Sequence, residues 1–261
     1  MPIIKVNRAE VDIVQTGSGR DLILLHSLLT DRSAFDRVTP LLSKKRRVSL
    51  VNLPGYGASS PLSQTGASIE DYADHIAGLI RMLGLSKQTD VLGNGLGGFI
   101  AVALAARHGK LFDRLVVADS VAAFPAAGKE PLQRLAERVR LEGMSAVLDA
   151  AIQRMFPQPF IAAHPDIVAE RKSALAKADP ECFRTACMAL TRVDLTPVLA
   201  RIRNPVLVMV GALDGATPVP LAHRLATGIA GSKFVEIPDC GHCPQIEKPD
   251  VFVKAIDEFL V

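Results

Sequence analysis

The sequence predicts an α/β fold, with a mostly parallel eight-stranded sheet, helices on both faces and an inserted helical segment. Three observations point there. Short apolar runs alternate with helical patterns at both ends of the chain. Several of these runs are continuously apolar, as strands buried on both faces require. From about residue 121 to 193 the alternation stops and the sequence is Ala-rich and helical throughout.

In chain order, residues 3–6 and 11–16 read as two strands that could pair as a hairpin. Residues 22–26 (LILLH) form a buried strand, 32–42 a helix and 48–53 the next strand, which Pro54-Gly55-Tyr56-Gly57 breaks. Ser68 is an N-cap candidate for a helix over 69–83, with acids in its first turn. A strand at 89–92, an Ala-rich helix at 96–108 and a strand at 115–118 follow. Pro125, Pro157, Pro159, Pro165 and Pro180 punctuate the next stretch. This makes 121–193 an inserted lid of short helices on a core of 1–120 and 194–261. The core resumes with a strand at 205–210, a helix at 220–229, a strand at 233–237 and a helix at 249–260. No internal repeat is visible.

A chain of 261 residues, 49% of them apolar, suffices for one large α/β domain. A net charge of +3 argues for neither a nucleic-acid nor a membrane partner. No apolar stretch reaches the ~18 residues of a membrane span, and the start lacks a signal-peptide pattern. A cytoplasmic protein is expected. The run Lys44-Lys45-Arg46-Arg47 reads as a solvated helix end before a strand. Four cysteines are too few for a disulfide scaffold. Oligomeric state is open, a homo-oligomer included.

In parallel sheets, functional residues collect beyond the carboxyl ends of the strands. Four such loops carry chemistry here: His26-Ser27-Leu28-Leu29-Thr30-Asp31, the Gly-rich turn VLGNGLGGF at 91–99, Gly211-Ala212-Leu213-Asp214, and Pro238-Asp239-Cys240-Gly241-His242. An acid and a histidine follow the turn, in that order. A carboxylate that orients a histidine selects its tautomer and stabilises the imidazolium, which makes a general base. Asp119, in VVADS, rivals Asp214 as the acid. Asp214 sits in the fuller pattern, Gly-x-x-Asp-x-x-x-Pro, and is favoured.

With these motifs the chain resembles the α/β-hydrolase family over nearly its whole length. "HSLLTD" is similar to the Asn-Ser-Leu-Gly-Thr-Asp segment of the 3-oxoadipate enol-lactonase type, the nearest subgroup by motif. "NLPGYGASS" is similar to the family's Asp-x-Pro-Gly-x-Gly-x-Ser loop, with Asn52 in place of the Asp. "VGALDGATP" and "CGHCPQIEKP" match the acid and histidine segments. The resemblance implies that Asp214 is the triad acid and His242 the general base. It also implies that the backbone N–H groups of Leu28 and Leu96 form the oxyanion hole. His26, Ser27 and Asn94 are candidate substrate contacts. The family's nucleophilic serine, at the centre of Gly-x-Ser-x-Gly, falls on Gly95.

Glycine fits that turn without steric cost but brings no hydroxyl. The Leu96 amide still opens the helix, where its dipole favours negative charge. An oxyanion hole and binding alone can retain ~10³–10⁴-fold acceleration. His242 and Asp214 could therefore activate a water held in the space left by the missing hydroxymethyl. The expected function is a hydrolase acting on a small-molecule carbonyl substrate: an ester, lactone or β-dicarbonyl compound. Alternatives are a non-hydrolytic His–Asp enzyme of lyase or cofactor-free oxygenase type, a silent ligand-binding protein, and a serine hydrolase whose serine was replaced by design. Ser27 is a tempting substitute nucleophile, but no helix N-terminus lies beneath its own loop. Asn94 has an alternative role packing sideways against neighbouring strands.

No cofactor or metal is expected. Gly93, Gly95 and Gly98 satisfy a dinucleotide-type Gly-x-Gly-x-x-Gly pattern, which leaves the His242 segment unexplained. Cys240-x-x-Cys243 lacks a second ligand pair, and Cys182 and Cys187 read as apolar filler. Tyr56, Met144, Met155, Phe156, Phe160 and Met188 either line a pocket or pack as core.

Overall fold

In the computed structural model, which describes residues 4–6 and 9–260, the continuous apolar runs become the middle of a seven-stranded sheet. Its strands are β3 (Ile13–Thr16), β4 (Arg20–Leu25), β5 (Arg46–Val51), β6 (Asp90–Asn94), β7 (Leu115–Ala118), β8 (Val206–Gly211) and β9 (Lys233–Ile237), in spatial order β3-β5-β4-β6-β7-β8-β9. Only β3 is antiparallel to its neighbour. Side chains alternate between the two faces, as strand geometry demands. Leu22 and Leu24 pack with Phe35, Phe252 and Phe259 on one side. Ile23 and Leu25 pack with Ile76, Phe99 and Leu104 on the other.

The sheet has seven strands, not the eight expected, because the 11–16 run is split. β1 (Ile4–Val6) and β2 (Ala9–Val11) form a separate antiparallel pair; residue 3, also expected in the first strand, lies outside the described residues. Asp12 makes the break. Its carboxylate accepts from Asn52 Nδ2 at 2.7 Å and from the Ala58 amide at 3.1 Å, and its own amide donates to Ser59 Oγ at 2.9 Å. These bonds tie the chain to the loop after β5.

The expected helix over 32–42 is interrupted, a 3₁₀ turn at Arg32–Phe35 preceding the short α1 (Thr39–Leu42). α2 (Ile69–Met82) carries the expected Ser68 cap as a reciprocal box with Asp71. α3 (Leu96–His108) follows β6 directly. Between β7 and β8 every helix-length element is helical: α4 (Ala126–Glu142), α5 (Leu148–Met155), α6 (Gln158–Ala163), α7 (Pro165–Leu175) and α8 (Pro180–Arg192). The ends of this segment meet, the Leu195 amide donating to the Ala122 carbonyl at 2.9 Å. α9 (Val219–Thr227), α10 (Pro244–Glu247) and α11 (Pro249–Phe259) complete the chain.

The basic run is not simply solvated. β5 starts at Arg46, which is buried and donates to Asp257 at 2.6 Å and to the Leu260 carbonyl at 3.1 Å. The strand begins two residues earlier than expected, so this arginine anchors α11.

Two side chains hold the loops at the carboxyl ends of β4 and β5 together. Fully buried His26 accepts the Leu53 N–H on Nε2 at 2.9 Å. Its Nδ1 therefore carries the hydrogen, donated to the Ser27 carbonyl at 2.8 Å. Burial pushes the His26 imidazole down to about 4. Asn52 uses both ends of its amide, donating to Asp12 and accepting the Arg32 N–H at 2.9 Å.

Both arrangements are testable. The folded pKa of His26 lies below its unfolded value of ~6.5, so its contribution is complete above that value and lost as pH falls toward 4. His26→Asn keeps an acceptor for Leu53 without titrating. The stability advantage of wild type over this variant, measured by urea unfolding, should shrink by up to about 3 kcal/mol between pH 6.5 and pH 4. A pH-independent difference contradicts the assignment. Asn52→Asp sets a carboxylate against Asp12 and should cost about 1–3 kcal/mol. Adding Asp12→Asn should restore the midpoint; no loss in the single variant would show that the amide is dispensable.

Candidate active site

One residue, Gly95, separates β6 from α3. Its backbone sits at φ 55°, ψ −117°, a conformation that side-chain-bearing residues rarely adopt. The flanking glycines are required by close approach. A Cβ on Gly93 would overlap the Gly97 carbonyl, and one on Gly97 would overlap the Leu25 carbonyl. The turn thus presses on the end of β4, and the Gly97 N–H donates to the His26 carbonyl at 3.0 Å. This crossing brings the loop of Ser27 against the N-terminus of α3.

Ser27 fills the space beside Gly95. A Cβ built on Gly95 would overlap Ser27 Oγ and stand 2.8 Å from Ser27 Cβ and 2.9 Å from His242 Nε2. The expected room for an activated water is therefore taken by a hydroxyl of the protein. Ser27 Oγ is 3.3 Å from His242 Nε2.

On its other side the His242 ring reaches Asp214, Nδ1 to Oδ2, at 2.9 Å. Asp214 also accepts from the amides of Ala216 and Thr217, at 2.7 and 3.0 Å, and from the Thr217 hydroxyl at 2.5 Å. Burial opposes its ionisation. The charge and hydrogen bond of His242, with the Thr217 bonds, outweigh this and hold the carboxyl at about 2. With Nδ1 donating to a carboxylate, the neutral ring presents Nε2 as an acceptor, and the Ser27 hydroxyl donates to it.

Asp119, the rival acid, accepts the Gly211 amide at 2.9 Å instead. Burial and the neighbouring Asp214 push it well above the carboxylate range. Asp119, Asp214 and His242 place ligand atoms within 4.8 Å of one another. A cation would need the His242 nitrogen free, and here it is committed to Asp214.

The N–H groups of Leu28 and Leu96 donate to no protein acceptor among the described residues. Both residues line a small cavity of about 30 Å³, with Ser27, Gly95 and His242 also on its wall. Phe99, Phe124, Leu132 and Leu190 supply its apolar side. Tyr56, Met144, Met155, Phe156, Phe160 and Met188 do not line it. Tyr56 instead donates to the Leu28 carbonyl at 2.6 Å, while Met144, Met155 and Phe156 are core. His26 and Asn94 are fully buried and turned away from the cavity. Asn94 donates to the His242 carbonyl at 3.1 Å and accepts from Gln245 at 3.1 Å, so it braces the histidine loop.

Three contributors escaped the sequence reading. Thr217 sits three residues after the acid, a spacing that signals an Asx-type turn. Glu247 accepts the Gly241 and Cys243 amides, at 2.8 and 3.1 Å, on either side of His242; nothing in the sequence marks a carboxylate that binds backward to its own loop. Arg154 comes from α5 and lines the cavity, with no ion-pair partner among the described residues. All four cysteines are buried as free thiols, and burial raises each of them, which disfavours the thiolate needed for metal or redox chemistry.

The chain is similar along most of its length to known proteins. The chain is 29% identical over 242 residues to 3-oxoadipate enol-lactonase 2 of Acinetobacter baylyi, spanning 90% of this chain and 86% of that one. It is 28% identical to a pimeloyl-[acyl-carrier protein] methyl ester esterase of Chromobacterium violaceum, over 94% and 95% of the two chains. The crystal structure of the enol-lactonase from Burkholderia xenovorans LB400 superposes with a TM-score of 0.93 at 30% identity, covering 99% of both chains. Residues 22–255 match the alpha/beta hydrolase family, and the chain belongs to that family.

Proposed function

We propose that this protein hydrolyses a small ester or lactone, with His242 as general base, Asp214 as the carboxylate that orients it, and the Leu28 and Leu96 amides as the oxyanion hole. One observation carries the reading. The His242 ring bridges a carboxylate held ionised by its partners and a cavity lined by Leu28 and Leu96, whose backbone N–H groups donate to no protein acceptor among the described residues. A binding protein has no use for a base aimed at such a cradle. The named ester- and lactone-cleaving relatives support the same reaction class.

The two amides suit a developing oxyanion, since donors fixed in a dry site stabilise charge without reorganising. Leu96 adds the positive end of the α3 dipole. Gly95 stands where the family's Gly-x-Ser-x-Gly pattern has its serine. Segment 121–193 is a cap on a core of 1–120 and 194–261, and it supplies Phe124, Leu132, Arg154 and Leu190 to the cavity. Arg154 brings a positive charge, half withdrawn from water, to the wall facing the substrate. This favours esters or lactones that carry an acidic group.

The test is hydrolysis of a panel of short nitrophenyl esters and small lactones, with and without a carboxylate. His242→Ala should lower kcat/KM on the order of 10²–10⁴-fold. Asp214→Asn, which permits the wrong histidine tautomer, should lower it on the order of 10⁴-fold. Both variants should melt cooperatively. Full activity in folded His242→Ala would overturn the reading.

A further inference from the structure

We infer that Ser27 is the nucleophile, so that the catalytic hydroxyl comes from the loop after β4 and not from the turn before α3. The inference rests on the hydrolase reading for its chemistry and supplies the attacking group that reading leaves unassigned.

Five observations converge on Ser27. Its Oγ lies in the space a residue-95 side chain would occupy, open only because residue 95 is glycine. That Oγ faces the acceptor nitrogen of His242 at 3.3 Å, at the loose end of the range seen before substrate tightens such contacts. Asp214 stands behind the ring at 2.9 Å, which completes the order hydroxyl, imidazole, carboxylate. Ser27 is also held firmly. Its amide donates to Thr30 Oγ1 at 3.2 Å, and its carbonyl accepts from His26 Nδ1 at 2.8 Å. Buried Ser27 nevertheless lines the cavity.

The oxyanion donors fit the exchange. In a nucleophile elbow, one donor is the amide following the nucleophile and the other comes from the opposite loop. With Ser27 attacking, Leu28 is the following amide and Leu96 the opposite one. The two loops trade roles and the pair of donors is unchanged. The helix N-terminus missing beneath the Ser27 loop is provided by α3 across the cavity.

The chemistry balances without a cofactor. Ser27 Oγ passes its proton to His242 Nε2 as the Oγ–C bond forms, and the carbonyl π pair becomes an oxyanion facing Leu28 and Leu96. Collapse breaks the C–O bond to the alcohol, which takes the proton from His242. Water then attacks the acyl-Ser27 ester, giving its proton to His242, which returns it to Ser27 as the acid leaves.

The test is covalent capture by a fluorophosphonate, read by intact mass and peptide mapping of the unaltered chain. Trypsin would release residues 21–32, and fragmentation within that peptide separates Ser27 from Thr30. The expected result is one adduct on Ser27, absent in Ser27→Ala and formed at least about 10²-fold more slowly in His242→Ala. Ser27→Cys, which retains bulk and nucleophile, should accumulate a thioester from a nitrophenyl ester, and it serves should Ser27→Ala fail to fold. An adduct elsewhere, or none at saturating probe, overturns the inference. So does undiminished ester hydrolysis by folded Ser27→Ala; if His242→Ala is then inactive, the hydrolase reading survives without Ser27. A Ser27 adduct with no turnover across the ester and lactone panel leaves Ser27 reactive and removes the hydrolase reading.

Discussion

The contact on which the site depends is the crossing of the β6–α3 turn over the end of β4. The Gly97 N–H reaches the His26 carbonyl, and neither Gly93 nor Gly97 has room for a Cβ. This backbone-on-backbone contact sets the distance between the two loops that line the cavity. It sets Leu28 and Leu96 on the wall of the same cavity, and it puts the Ser27 hydroxyl where a side chain of residue 95 would otherwise be. A larger residue at 93 or 97 would separate the loops and disperse all of these groups together.

Around that crossing, polar groups fix orientation instead of meeting the cavity. His26 locks the backbone of Ser27 to Leu53, Asn94 and Glu247 brace the loop of His242, and Thr217 saturates Asp214. Each of these five side chains is hydrogen-bonded, which makes the arrangement stiff, because an unmatched polar group in a dry interior is costly. His242 thus keeps one ring nitrogen for Asp214 and one for the cavity. Asp214 is driven to ionise by its partners, while nearby Asp119 is driven the other way by burial and by Asp214.

The sheet, the helical segment between β7 and β8, and the positions of Asp214 and His242 were readable because each is written in local pattern: continuous apolar strands, Ala-rich helix, and acid and histidine in strand-end loops. What was not readable depends on contacts distant in sequence. The 11–16 run looks like one strand, but Asp12 is captured by Asn52 and Ala58, 40 and 46 residues away. Arg46 looks like part of a solvated cluster until α11 returns to cover it. His26 and Asn94 look like ligand contacts because they border the right loops, yet hydrogen-bond demand turns both inward. Ser27 is legible in part: its loop offers it as a substitute nucleophile, but the contact of its hydroxyl with His242, 215 residues away, depends on the fold.

The most direct test of whether the site works as built is a comparison of ester hydrolysis by the chain as it stands and by Gly95→Ser, each with its melting temperature. Serine at 95 would meet Ser27 Oγ and take up a backbone conformation costing about 1–3 kcal/mol. The account predicts that the unaltered chain turns over ester, and that Gly95→Ser melts several degrees lower without gaining activity. An inactive native chain made active by Gly95→Ser would contradict it, because the hydroxyl would then belong at residue 95.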